Sequence, residues 1–281
     1  MTLLGRIRSR LQRQDSTPMP ARTAQVPPGH RVYAVGDIHG RADLLDRMAE
    51  LVAADLRGLE AAGADPDGEG SITATAPVAQ VTTVFLGDYV DRGPASREVV
   101  ERLATGDWPT PLVALLGNHE LMCLQFLRDA THLPRWRSVG GLSTLASYGV
   151  EVSALMGARS EEGHVEAARQ ALSAAMSPRH LAFLTEGLEP CATIGDYFFC
   201  HAGVRPGVPL DRQDPLDLIT IRDEFLGSEA DFGKVVVHGH TPGEDPVFKS
   251  NRIGIDTGAY ATNHLTCLVL DEDRVEVLQT R

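Results

Sequence analysis

The apolar positions of this chain come in two textures that alternate along its first half. Short β-branched runs at 31–35, 81–86 and 112–116 have no regular polar face, the pattern of strands covered on both sides. Between the first two runs, residues 43–59 carry Leu44, Leu45, Met48, Leu51, Val52 and Leu56 at a period of roughly 3.6 residues, which predicts a helix. A second helix is expected over 96–103, with Pro94 at its start where a missing N–H is harmless, and a third over 118–130. Strand–helix repeated in this way is an α/β arrangement, in which ligands bind at the C-terminal edge of the sheet.

The second half changes character. From about 128 to 188 the sequence is rich in Ala, Ser and Leu and reads as helical, with Gly140-Gly141 and Tyr148-Gly149 as breaks. We read it as a helical insertion lying beside the site. Five further runs, 196–200, 234–237, 252–255, 265–270 and 275–278, read as strands of a second sheet. Residues 63–77 are rich in Gly, Asp and Thr and predict an inserted surface loop. No internal repeat is visible.

The N-terminus departs from this texture. Residues 1–22 hold Arg6, Arg8, Arg10, Arg13 and Arg22 against one acid, Asp15, with Leu3, Leu4, Ile7 and Leu11 at helical spacing. Residues 17–28 then read as a linker. Residues 1–28 are therefore expected to be a basic, flexible tail and 29–281 the folded domain. The tail has no long apolar core followed by small residues, so it is a poor secretory signal. A solvated tail is the plain reading, and an arm touching a membrane surface or a partner is its alternative.

Composition narrows the class. Apolar content of 43% and charged content of 23% are ordinary for a globular protein. No stretch approaches the roughly 18 apolar residues of a membrane span. A net charge of −12 speaks against a surface that wraps a nucleic-acid polymer. It leaves a phosphorylated substrate open, because a metal site makes its own local field. Cys123, Cys191, Cys200 and Cys267 form no CxxC pair, so a disulfide framework or zinc ribbon is not expected and a reducing, cytoplasmic setting is.

The chemistry sits where the apolar runs stop. Gly36-Asp37-Ile38-His39-Gly40, Gly87-Asp88-Tyr89-Val90-Asp91-Arg92-Gly93 and Gly117-Asn118-His119-Glu120 each follow one of the first three strands. Cys200-His201-Ala202-Gly203 and His238-Gly239-His240-Thr241-Pro242 follow two later ones. Loops of this kind bring carboxylate, imidazole and amide groups into one small volume. Those are ligands for hard to borderline divalent metals.

Taken in order, these five blocks resemble the calcineurin-like metallophosphoesterases over roughly 31–258. The second and third blocks are similar, more narrowly, to the phosphoprotein phosphatase family of Ser/Thr phosphatases and its bacterial relatives. The resemblance implies a sandwich of two mixed β-sheets flanked by helices. It implies two divalent ions, with Mn²⁺ the first expectation and Fe or Zn²⁺ the others. Asp37, His39 and Asp88 would bind one ion; Asp88, Asn118, His201 and His240 would bind the other, Asp88 bridging. Two dications repel, and a shared anionic oxygen screens that repulsion. Arg92 and Arg222 resemble the family's phosphate-clamping arginines, whose planar fork suits phosphate oxygens. His119 matches its proton donor and Asp91 the group that orients it. The implied reaction is hydrolysis of a phosphomonoester by direct attack of a metal-bridging hydroxide.

Details within the blocks bear on the substrate. Pro242 stands where the wider superfamily often has a second histidine, which is the phosphoprotein phosphatase pattern and speaks against a nuclease. Asp91 with Glu120 points the same way, since symmetrical diadenosine tetraphosphatases usually resemble GDLVARG and GNHD. Leu116 stands where eukaryotic protein phosphatases usually have arginine and Arg41 where they often have glutamine, and 128–188 looks more like bacterial members. A bacterial-type protein Ser/Thr phosphatase is the leading reading. The alternatives are a symmetrical dinucleoside polyphosphate hydrolase, for which Trp136, Tyr148 or Tyr260 would stack a base, and a non-catalytic phosphate-binding module. His238 is expected to be structural, Cys200 a buried small hydrophobe, and His30, His132, His164, His180 and His264 surface or packing residues.

Overall fold

The structure, a computed structural model, describes residues 24–63, 78–157 and 161–280. The basic arm through residue 23 lies outside the described residues, as does the loop expected at 63–77 apart from Gly63, which ends a helix. Two five-stranded mixed sheets pack face to face, with helices on their outer sides. The first sheet has the order β10-β9-β1-β2-β3. Here β1 is His30–Val35, β2 Gln80–Phe85, β3 Leu112–Ala114, β9 Thr266–Asp271 and β10 Arg274–Gln279. The second has the order β4-β5-β6-β8-β7, with β4 Cys191–Ile194, β5 Tyr197–Cys200, β6 Val235–His238, β7 Val247–Phe248 and β8 Arg252–Gly254.

Alternation along each strand divides the core into layers. In β1, Tyr33 and Val35 face the helices, while Val32 and Ala34 face the second sheet. In β5, Tyr197 and Phe199 join that inter-sheet layer, and Phe198 and Cys200 face outward onto a third cluster with Leu218, Ile219 and Phe225. Both faces of the inner strands β1, β5, β6 and β9 are covered, which is why these read as unbroken apolar runs, whereas the edge strands β7 and β10 stay largely exposed.

Strands β1, β2 and β3 are parallel to one another, as are β5, β6 and β8. Crossover helices return the chain each time: α1 (Ala42–Gly63) after β1, α2 (Ser96–Thr105) after β2 and α3 (Asn118–Arg128) after β3. Ala95, not Pro94, is the N-cap of α2, so the proline lies just outside the helix. The insertion is helical as expected, with α4 (Leu133–Arg137), α5 (Gly141–Ser147), α6 (Glu162–Ala175) and α7 (Pro178–Glu186) before the chain rejoins β3 through a bridge between Leu115 and Glu189. Short helices α8 (Pro215–Thr220), α9 (Asp223–Leu226) and α10 (Ala259–Thr262) close loops of the second half.

Two expectations need correction. The strands at 265–270 and 275–278 belong to the first sheet, not the second. β9 runs antiparallel on the open edge of β1, and Arg31 in β1 meets its register partner Asp271 in a 2.8 Å ion pair. β9 follows β8 closely along the chain, yet it pairs with β1 over five register positions. The fold also begins earlier than residue 29. Val26 is buried, its N–H donating to Glu272 O, and Gln25 O accepts from Asp196 N–H.

Candidate metal centre

All five loop blocks meet at one end of the sandwich. The loop after β1 leans on that after β2, with His39 N–H to Asp88 O at 2.8 Å and Gly40 N–H to Tyr89 O at 2.8 Å. Glu120, fully buried in the first turn of α3, gathers the next pair: its carboxylate accepts from the N–H groups of Asp88, Tyr89, Val90 and Gly117 at 2.7–3.2 Å. Burial and the charge of Asp88 push its pKa up to about 7. On the far side, Gly239 N–H donates to His201 O at 2.8 Å, joining the loops after β5 and β6.

This convergence strains the backbone. The non-glycine residues with positive φ include His39 at 47°, Asp88 at 54°, Asp91 at 74°, Arg92 at 67° and His240 at 67°. Such conformations cost of order 1 kcal/mol each and persist only where the surroundings over-determine them. Gly117 shows how tight the fit is, because a Cβ there would collide with the Asp88 carboxylate.

Two groups of donor atoms result, and they share Asp88: His39, Asp88 and His119 in one, Asp88, His201 and His240 in the other, with ligand atoms in each within 4.8 Å of one another. Asn118 Oδ1 lies 3.0 Å from His201 Nε2 and so belongs with the second. Asp37 stands slightly apart from the first, both its oxygens accepting the His240 N–H at 3.1 Å.

The donor chemistry fits a cation. His39 Nδ1–H is spent on Val90 O at 2.9 Å, so Nε2 turns a bare lone pair toward Asp88 Oδ2, 3.5 Å away. That nitrogen is buried without a partner, as is His240 Nε2. Burial pushes the pKa of His39 down to about 3, so a proton does not fill the gap. His201 likewise commits Nδ1–H to Leu86 O at 2.8 Å, leaving Nε2 facing Asp88 Oδ1 at 3.3 Å. There burial lowers the pKa, but the charge and hydrogen bond of Asp88 outweigh it and lift the group to about 10. Asp37 and Asp256 are buried carboxylates pushed up by burial and, for Asp37, by the charge of Asp256 next. Lone pairs facing carboxylates in a dry pocket are repulsive unless a positive charge lies among them.

The remaining candidates surround this centre. His119 Nδ1–H donates to Asp91 Oδ2 at 2.7 Å, and its Nε2 faces inward, 3.7 Å from Asp88 Oδ2. Burial lowers its pKa, yet the charges of Asp88 and Asp91 leave it raised. Arg92, half-buried, has its guanidinium 4.5 Å above the Tyr260 ring and 3.4 Å from His119 Nε2. Arg222 is exposed at the rim and reaches Thr241 Oγ1 at 3.3 Å. His238 is buried against Phe225, its Nδ1–H on Gly239 O at 3.1 Å.

Sequence reasoning left Asp256, Glu120 and Thr144 without roles. Asp256 carries the signal that found the others, an acid just after a strand. The three aromatics considered for base stacking fare differently. Trp136 and Tyr148 are buried and cannot meet a ligand, whereas Tyr260 is 39% exposed with its ring edge against His39 at 5.5 Å.

Comparison with known proteins agrees with this geometry. Residues 30–275 match the family described as calcineurin-like phosphoesterase. No curated protein matches the chain. Among solved structures, a proposed diadenosine tetraphosphatase is 20% identical over 94% of this chain and 96% of its own, with a TM-score of 0.53. A cold-active protein-tyrosine phosphatase of a psychrophilic Shewanella is 18% identical over 92% and 83%, TM-score 0.49. A serine/threonine phosphatase from Saccharomyces cerevisiae is 15% identical over 90% and 80%, TM-score 0.45. At 20% identity the first of these likenesses speaks to the fold alone. The family match is broader evidence: the chain belongs to the calcineurin-like phosphoesterases and is a metal-dependent phosphoesterase.

Proposed function

We propose that this phosphoesterase is a dinuclear phosphomonoesterase of the phosphoprotein phosphatase branch, bacterial type, acting on phosphoserine or phosphothreonine in proteins. The observation that carries the dinuclear reading is the sharing of Asp88 between two donor groups. Asp37, His39 and Asp88 would hold one ion, and Asp88, Asn118, His201 and His240 the other. Mn²⁺ is the first choice, with Fe and Zn²⁺ suited to the same mixed O and N donors. When bound, the pair supplies charge for the phosphate dianion and a water acidic enough to attack at neutral pH.

The chain's own residues divide the rest of the work. Arg92 and Arg222 clamp phosphate oxygens; the packing of Arg92 on Tyr260 presents its guanidinium to the pocket. Asp91 holds His119 by Nδ1, so Nε2 is the nitrogen that gives a proton to the leaving oxygen. Glu120 fixes the loop that carries Asp88. The four cysteines are free, and we assign the protein to the cytoplasm.

A second reading, symmetrical hydrolysis of dinucleoside polyphosphates, draws support from Tyr260, an exposed ring beside Arg92 on which a base could stack. A panel of phosphoserine and phosphothreonine peptides, para-nitrophenyl phosphate and diadenosine tetraphosphate, run with manganese and with chelator, decides between them. Metal-dependent turnover of the phosphopeptides is the expected result. A strong preference for the dinucleotide replaces the first reading with the second.

A further inference from the structure

We propose that the helical insertion takes part in the reaction through Trp136 and Thr144, which act as positioning residues for the proton donor. This rests on the role of His119 given above. The Asp91 carboxylate that holds His119 is itself held by the insertion. Its Oδ2 accepts from Trp136 Nε1–H at 2.8 Å as well as from His119, and its Oδ1 accepts from Thr144 Oγ1–H at 2.6 Å. Asp91, Trp136 and Thr144 are each 0% exposed, so no water competes for these bonds. The Thr144 hydroxyl also accepts the Asp91 backbone N–H at 2.9 Å.

The grip extends to the phosphate side. Ser143 Oγ–H donates to Arg92 O at 3.2 Å, and Gly140, at φ 114°, brings its backbone against Arg92. A Cβ on Gly140 would lie 2.7 Å from Arg92 N. One short stretch of the insertion thus clasps the two adjacent residues, Asp91 and Arg92, that both sit at positive φ.

The consequence for chemistry is directional. A carboxylate bonded only to an imidazole can rotate about its last torsion and carry the ring with it. A donor from another element on each oxygen fixes the carboxylate plane, and with it the line along which His119 Nε2 points. In the chemical step a water oxygen forms a bond to phosphorus as the bond from phosphorus to the leaving oxygen breaks, and the electron pair of the broken bond stays on that leaving oxygen. The oxygen takes the proton from Nε2, while Nδ1 keeps its proton on Asp91. A serine alkoxide needs that proton as the bond breaks; para-nitrophenolate does not. A residue that only fills the core would affect both substrates alike.

The test uses full-length protein with Thr144→Val, Thr144→Ser and Trp136→Phe, loaded with manganese and checked for metal content. Thr144→Val is expected to lower kcat on a phosphoserine peptide about tenfold, with KM and metal content unchanged and less than about twofold loss on para-nitrophenyl phosphate. Thr144→Ser should restore the loss, and Trp136→Phe should follow Thr144→Val. Equal loss on both substrates, no loss, or loss of metal overturns the proposal. If Trp136→Phe does not fold, Thr144→Val decides alone. His119→Asn, run alongside, separates the two ideas: leaving-group dependence there but not in Thr144→Val sinks only the clasp, and its absence in both sinks the donor role as well.

Discussion

Strand β1 ends in buried charge at both extremities, and the two ends behave oppositely. At its start, Arg31 is 4% exposed and donates to Tyr33 Oη at 3.1 Å, to Asp55 Oδ2 at 2.7 Å and to Asp271 Oδ2 at 2.8 Å. Tyr33 closes the group by a short bond to Asp55. Every member has its partner. Just past the other end, Asp37, His39 and Asp88 meet His201 and His240, with the His39 lone pair facing Asp88 and the Nε2 atoms of His39 and His240 unpartnered. Burial is similar, and the residue types overlap. What separates a structural charge cluster from a candidate ligand site here is completeness: the first is closed on itself and the second keeps buried donor atoms free.

That contrast gives the largest expected effect at the open end. Asp88→Asn keeps the shape but removes the shared charge, so both ions should be lost and turnover should fall at least about 1000-fold with folding retained. Elemental analysis beside circular dichroism checks it; full metal content in the variant breaks the contrast. Arg31→Met attacks the closed end. It strands Asp55 and Asp271, so stability should drop by about 3 kcal/mol, roughly 6–12 °C in Tm, while kcat/KM per folded molecule stays put. A fall in activity without a fall in Tm would show that the two ends are not independent.

Proton release sharpens the comparison further. Burial lowers the His201 pKa, but the charge of Asp88 outweighs it and lifts the group from 6.5 to about 10. Below that value its Nε2 carries a proton that a metal must displace, so loading should release protons and affinity should rise with pH, by up to about tenfold per unit for each proton displaced. Calorimetric titration in buffers of different ionisation enthalpy reads this directly; zero proton release at pH 7 contradicts it. The smallest effect is expected from Tyr260→Ala, which removes the ring beneath Arg92 and should raise KM for phosphopeptides about two- to fivefold without changing kcat.

The convergence of the loops was legible because each block is local. A strand end followed by Asp, His or Asn can be read within a handful of residues, and five such blocks announced one site before any contact was known. The helices α1, α2 and α3 were legible for the same reason, their periodicity lying within one segment. What escaped depends on distance along the chain. That β9 and β10 edge the first sheet rests on pairings between residues far apart in the chain, Arg31 with Asp271 across 240 positions among them. Trp136 looked like a ring for stacking bases, but the fold buries it against Phe126 and turns its N–H to Asp91 across 45 positions. Thr144, a plain threonine in a helical stretch, gives no local signal that it holds a carboxylate. Asp256 stands two residues past β8 and carries the same local signal as the other acids.

The account depends on two cations sharing Asp88, and anomalous diffraction from crystals soaked in manganese measures that directly. Two peaks flanking the Asp88 carboxylate, one beside His39 and the other beside His201 and His240, are the predicted result. A single peak, or manganese bound away from Asp88, would contradict it.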